Sequence, residues 1–229
     1  MATLQIISLV STLVIFVVSA LLAALLTRLY ADDKNNISYL VWSAGLRFFS
    51  VAVILEILFS FGVYSDFLAK VYIFAMIMPL LAFSIGHIQY VKSEKTKQAY
   101  YYYSTFTAFF LLGSLLTSNI GNWSSGYAVY GSLPFVPLLF AAIIVVSSSI
   151  VLAYMSISSY ISGKRAASLL IIPGAMVFGF INTVHISGPA MLAYYLELFG
   201  IMLLWLGIAG ISRNKKSRTT AHQRMPLRF

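Results

Sequence analysis

The stretch that decides the fold is LQIISLVSTLVIFVVSALLAALLTRLY, which runs from Leu4 to Tyr30. It is long enough to cross a bilayer as one helix, because about 20 mostly apolar residues suffice for that. The apolar run is longer than the core of a secretory signal, and no basic residue precedes it. We therefore expect a retained membrane span that inserts with its N-terminus outside.

Six more apolar stretches follow the first one, separated by short polar segments. They run from about 39 to 63, 67 to 91, 100 to 118, 135 to 161, 167 to 184 and 190 to 211. The whole chain is 60% hydrophobic and only 9% charged, whereas a soluble domain carries roughly 25% charged residues. The sequence predicts an all-α, polytopic membrane bundle of about seven transmembrane helices over residues 1–212, followed by a basic tail over 213–229.

The positions of the basic residues predict the orientation of this bundle. All of the fifteen Lys and Arg residues except Arg47 and Lys70 lie in segments on one side of the predicted membrane, or at Arg28 beside it. Basic residues favour the cytoplasmic side, so we expect the N-terminus outside, the tail cytoplasmic, and a location in the plasma membrane. Spread in this way, the net charge of +9 suits anionic lipid headgroups at the cytoplasmic face and argues against a nucleic-acid partner.

Several kinds of chemistry are excluded by composition. The chain has no cysteine, which rules out disulfides, thiolate metal sites and a cysteine nucleophile. It also lacks the common motifs of metalloproteases, serine hydrolases and phosphate-binding loops. We expect a protein that is not an enzyme and has no cofactor or metal. His87 and His185 are predicted at opposite ends of the membrane, so they cannot ligate the same haem iron.

Charged residues inside the predicted spans are the candidate functional site. A charge near the bilayer centre is costly, so each needs a partner or an aqueous cavity. Glu56 and Glu197 are predicted about 12–14 Å below the outer surface, and Lys70 about 5 Å nearer to it. These three can form a polar site in the outer half of the bundle, or a structural ion pair. Arg47 lies on the opposite face of its helix from Glu56, and we expect its side chain to extend back to the cytoplasmic headgroups.

Other features of the spans predict packing or modification. Pro79 and Pro173 are candidate helix kinks, and carbonyl groups freed at a kink can line a cavity. Small residues such as Gly174 and the serines 147–149 allow close helix packing. Asn122 begins an Asn-Trp-Ser glycosylation pattern in the predicted outer loop 119–132.

Two short stretches are similar to microbial rhodopsins, which also have seven helices with the N-terminus outside. Lys70 precedes Pro79-Leu80-Leu81 as a basic residue precedes a Pro-Leu pair in the third rhodopsin helix, and the segment 195–198 resembles the seventh. Ile201 stands where the retinal lysine would lie, and Ile73 stands where the proton acceptor would lie. The resemblance implies at most a retinal-free bundle, and we do not assign the chain to the family.

Three functional hypotheses follow from these patterns. The first is a non-enzymatic membrane subunit, or a receptor-like or scaffold bundle, that works through a membrane-protein partner or a homo-oligomer. The second is a small-solute transporter or an ion or proton pathway that uses Glu56, Lys70 and Glu197. The third is the retinal-free, rhodopsin-like bundle, and a membrane enzyme is the remaining alternative.

Overall fold

The computed structural model describes residues 2–120, 124–125, 128–129, 133–163, 169–170, 173–174, 176–177, 195–204 and 206–207. The helices within these ranges are α1 (Ala2–Asp32), α2 (Ile37–Ser60), α3 (Asp66–Ile88), α4 (Glu94–Thr117), α5 (Phe135–Gly163) and α6 (Tyr195–Leu204). Between α4 and α5, the two-residue strands β1 (Ser124–Ser125) and β2 (Ala128–Val129) pair antiparallel. The described residues between 169 and 177 are also helical.

Four of the helices are long and apolar enough to cross a membrane. They are Leu9–Asp32 of α1, all of α2, all of α3, and Phe135–Ser158 of α5. The expected helical membrane bundle is confirmed at this level. The count of seven spans and the orientation of the termini stay predictions. The tail 213–229, His185, His222 and Asn122 lie outside the described residues.

Helix α3 lies at the centre of the described bundle. It packs against α2, α4 and α5, while α1 packs on the other side of α2 and strand β2 lies against α2. Two glycines allow the close approach of α2 and α3. A Cβ atom on Gly45 would lie 2.8 Å from the Cβ of Ala82 and 3.4 Å from the Cα of Pro79, and one on Gly86 would overlap the indole nitrogen of Trp42. Pro79 is buried at this interface, inside α3.

The predicted boundaries of α1, α2, α3 and α5 agree with the structure to within a few residues, but that of α4 was wrong. The predicted span begins at about residue 100, whereas α4 already begins at Glu94. Ser93 caps this helix, because its hydroxyl accepts a hydrogen bond from the Thr96 amide at 3.3 Å. A serine before an acidic first turn is a helix-start signal that the apolar pattern alone did not reveal.

Candidate functional site

Glu56 is buried between α2 and α3, with 2% of its surface exposed. Its Oε1 accepts a hydrogen bond of 2.7 Å from the hydroxyl of Tyr72. The ring of Phe59 packs edge-on against Tyr72, with 5.8 Å between the ring centroids. Glu56 lies four residues before the end of α2, about 6 Å along the helix, which is nearer to the end than the sequence predicted. The carboxyl group therefore lies in an aromatic pocket at one end of the α2–α3 interface.

Lys70 forms its ion pair with Asp66, one turn earlier in α3, at a distance of 2.6 Å. Its Nζ also donates to the carbonyl of Leu116 at 3.4 Å, and Asp66 accepts from the amide of Ile120 at 3.2 Å. Together these contacts join the start of α3 to the end of α4. Asp66 was not among the predicted site residues, although its spacing of four residues from Lys70 is a recognisable ion-pair signal.

Glu197 belongs to the buried stripe of α6 and has no exposed surface. Gly200 continues this stripe, and a Cβ atom on Gly174 would lie 3.1 Å from the Gly200 carbonyl. Gly174 and Gly200 thus allow close packing between the helical stretch at 173–177 and α6. A joint site of Glu56, Lys70 and Glu197 stays a prediction. Pro173 is exposed within a helical stretch, and its role as a kink also stays a prediction.

A second polar region joins α3, α4 and α5. Tyr100 donates to the hydroxyl of Ser84 at 2.7 Å, and Ser84 contacts the hydroxyl of Ser148 at 3.3 Å. Beside them, Tyr103 donates to the hydroxyl of Ser147 at 2.8 Å. The hydroxyl groups of Tyr100 and Tyr103 thus tie α4 to its neighbours α3 and α5.

Near the C-terminal end of α3, two buried aromatic side chains share one carbonyl acceptor. Trp42 of α2 donates from Nε1 to the carbonyl of Phe83 at 3.2 Å, and His87 donates from Nδ1 to the same oxygen at 2.8 Å. The two rings lie 4.9 Å apart. A backbone carbonyl thus satisfies the buried His87 ring. Ser38 also donates to the Gly86 carbonyl, at 2.7 Å.

The α1–α2 interface is held by hydroxyl pairs. Ser19 and Ser50 lie 2.9 Å apart, and Thr27 and Ser43 lie 2.7 Å apart. Arg47 donates from Nη2 to the hydroxyl of Thr27 at 3.1 Å. Arg47 and Glu56 therefore bind different partners, in accordance with their predicted positions on opposite faces of α2.

No group of three His, Cys, Asp or Glu side chains able to hold a metal ion occurs in the described ranges. The side-chain hydrogen bonds that cross helix interfaces in the described ranges are made mainly by Ser, Thr and Tyr hydroxyl groups. Comparison of this chain with protein-family models, with curated proteins and with solved structures finds no match.

Proposed function

We propose that this chain is a seven-helix plasma-membrane protein that works as a non-enzymatic subunit or receptor-like bundle. One observation carries the proposal: each packed pair of the helices α1 to α5 is joined by at least one side-chain hydrogen bond. These bonds link α1 with α2, α2 with α3, α3 with α4, α3 with α5, and α4 with α5. Polar side chains in a membrane that bond one another hold helices together. This network of hydrogen bonds favours a rigid bundle that acts through contacts with other proteins.

The exposed surface of the bundle is compatible with such a role. Large apolar side chains face outwards, among them Phe106 and Phe109 of α4, which are 58% and 70% exposed. Little of the sequence lies outside the seven predicted spans, so a partner must bind largely within the bilayer, at the predicted 119–132 loop or at the basic face.

Native mass spectrometry after purification in mild detergent tests this proposal. We expect a stoichiometric membrane protein to co-purify with the chain, and an unrelated membrane protein carrying the same tag serves as the control. Recovery of a lone monomer or homodimer overturns the obligate-subunit proposal.

The proposed topology has its own test, which uses the natural absence of cysteine. Val63→Cys in the α2–α3 loop and Lys95→Cys at the start of α4 each place a thiol at an exposed position. We expect a membrane-impermeant maleimide to label the first variant in intact cells and the second only after permeabilisation. The reverse labelling contradicts the orientation, and equal labelling of both contradicts the odd number of membrane crossings between them.

A second candidate function is an ion or proton pathway, and the burial of Glu56 and Glu197 favours it. Acids inside spans commonly mark proton relays and ion paths. The test is proton flux in liposomes that enclose a pH-sensitive dye. We expect Glu56→Gln and Glu197→Gln to reduce the flux at least about tenfold, and Glu94→Gln, at an exposed position, to leave it unchanged. Equal flux in all variants and in empty liposomes eliminates this candidate.

A further inference from the structure

Arg47 is a charged residue on the exposed side of a membrane-type helix. It lies ten residues after the start of α2 at Ile37, which places its Cα about 15 Å from that helix end. The side chain is exposed, so in a bilayer it faces lipid rather than the protein core. A guanidinium group at that depth needs an acceptor or a route to the headgroups.

The direction of the side chain is shown by its contact with Thr27. Thr27 lies five residues before the end of α1 at Asp32, about 8 Å from that end. Ser43, which bonds to the same hydroxyl, lies six residues after the start of α2, at about 9 Å. Residues 33–36 join the two helix ends directly, so both distances are measured from the same level. The two estimates of depth therefore agree. The guanidinium is thus about 6 Å nearer to the helix ends than the Cα of Arg47, so the side chain extends towards the membrane surface.

The groove beside Arg47 has further capacity for an anion. A guanidinium carries five N–H donors, and the bond to Thr27 is the one that the described residues show for Arg47. Arg28 follows Thr27 directly, is exposed, and lies about 100° further round α1. Two arginines therefore flank the same end of the α1–α2 pair. Planar guanidinium groups recognise phosphate through paired hydrogen bonds.

We propose that the α1–α2 groove at Arg47, Thr27 and Arg28 binds the phosphate group of a phospholipid, in the leaflet where residues 33–36 turn. The direction of Arg47 distinguishes this ligand from an acidic side chain on a partner helix. A partner carboxylate would meet the guanidinium at mid-membrane depth without extension towards the surface, whereas a lipid phosphate is reached only from the helix ends. The site does not depend on the proposed function or on the orientation of the bundle.

The test is lipid titration of the delipidated protein in detergent, followed by native mass spectrometry and thermal unfolding. The probe is dioleoyl-phosphatidylglycerol, and uncharged dioleoylglycerol without a phosphate is the matched lipid. We expect the phospholipid to bind and to raise Tm, and dioleoylglycerol to do neither. Arg47→Gln should weaken binding at least about tenfold, and Arg47→Lys by less, because lysine keeps the charge without the planar fork.

Lys95→Gln is the control variant, since Lys95 is an exposed basic residue of α4, away from the groove, and its binding should match that of the unmodified protein. Equal Tm values without lipid show that a variant is folded; if Arg47→Gln fails this check, Arg47→Lys and Arg28→Gln decide. Binding to folded Arg47→Gln or Arg28→Gln that is as tight as to the unmodified protein, or a fall in binding that is equal in Lys95→Gln, overturns the proposal. So does loss of a co-purifying protein, rather than of lipid, in the Arg47 variants, because that outcome identifies a partner carboxylate as the ligand.

Discussion

Helices α3 and α4 are neighbours of nearly equal length, but they are held in the bundle in different ways. Two-thirds of the apolar window of α3 is buried, and buried residues occur all round the helix from Tyr72 onwards. In α4 the buried residues form a single stripe, Ser104, Thr107, Leu111 and Leu115. The side chains of Tyr102 and Phe109 on α4 are 78% and 70% exposed.

The difference shows what positions each helix. Helix α3 is enclosed on several sides, so the shapes of its neighbours determine its place, and glycines are required where α2 approaches. Helix α4 has few buried apolar residues, and its contacts are strengthened by hydroxyl groups such as that of Tyr100. We therefore expect close packing to contribute most to the stability of α3 in the bundle, and hydrogen bonds to contribute most to that of α4.

The largest expected difference in stability comes from replacing one glycine in each helix with alanine. Gly86→Ala adds a methyl group where the buried indole of Trp42 lies. We expect the free energy of unfolding to fall by about 2–3 kcal/mol, since overpacking a rigid core is costly. Gly113→Ala in α4 meets no atom within 4 Å and should raise stability by about 0.5–1 kcal/mol. Unfolding by SDS titration in mixed micelles measures both, and similar effects of the two changes contradict the comparison.

The tyrosines of α4 test the role of hydrogen bonds. Tyr100→Phe removes the hydroxyl that donates to Ser84 while keeping the ring, and we expect a loss of about 1–2 kcal/mol in the same titration. Tyr102→Phe is the matched control, because Tyr102 is 78% exposed and its loss of a hydroxyl should change little. A Tyr100 variant as stable as the Tyr102 variant means that the hydroxyl groups do not hold α4.

The same contrast explains what the sequence could predict. The apolar runs revealed α1, α2, α3 and α5, because burial in lipid requires long uninterrupted apolar stretches. The start of α4 was missed, since its first turns contain Glu94, Lys95 and Lys97 and its place depends on caps and hydroxyl bonds. These bonds depend on helix register in three dimensions, which hydropathy does not encode.

The candidate site shows the same limit. Burial of Glu56 and Glu197 was predictable from their positions within apolar runs. The bond between Glu56 and Tyr72 was not, because it requires the register of α2 against α3. Lys70 was assigned to the glutamates by depth alone, whereas its ion pair is with Asp66 in the same helix. Depth along a helix follows from sequence, but the direction around the bundle requires the packed structure.

Ion pairs provide a smaller test of how α4 is held. Lys70→Met removes the pair with Asp66 and the contact with the end of α4, and we expect a small loss of stability in the SDS titration, because exposed ion pairs contribute little. Lys97→Met removes the pair with Glu94 inside the first turn of α4. Because the Glu94 side chain is highly exposed, this change should reduce stability less than Lys70→Met does. If the second change is the more harmful, the Asp66–Lys70 contacts do not help to join α3 to α4.

Ser104 gives the smallest expected effect, and one of opposite sign. Its hydroxyl is buried on α4 beside that of Tyr100, without a hydrogen bond of normal geometry to any described residue. Replacing it with alanine removes an unsatisfied polar group and improves helix propensity. Ser104→Ala should therefore leave stability unchanged or raise it by up to about 1 kcal/mol in the SDS titration. Thr107→Val is the comparison, because the Thr107 hydroxyl bonds to the Tyr103 carbonyl and its loss should not stabilise. A destabilised Ser104→Ala protein contradicts this prediction and means that the hydroxyl is bound, by a water or by the neighbouring Tyr100 hydroxyl, in which case α4 depends on hydrogen bonds even more than the contacts of normal geometry indicate.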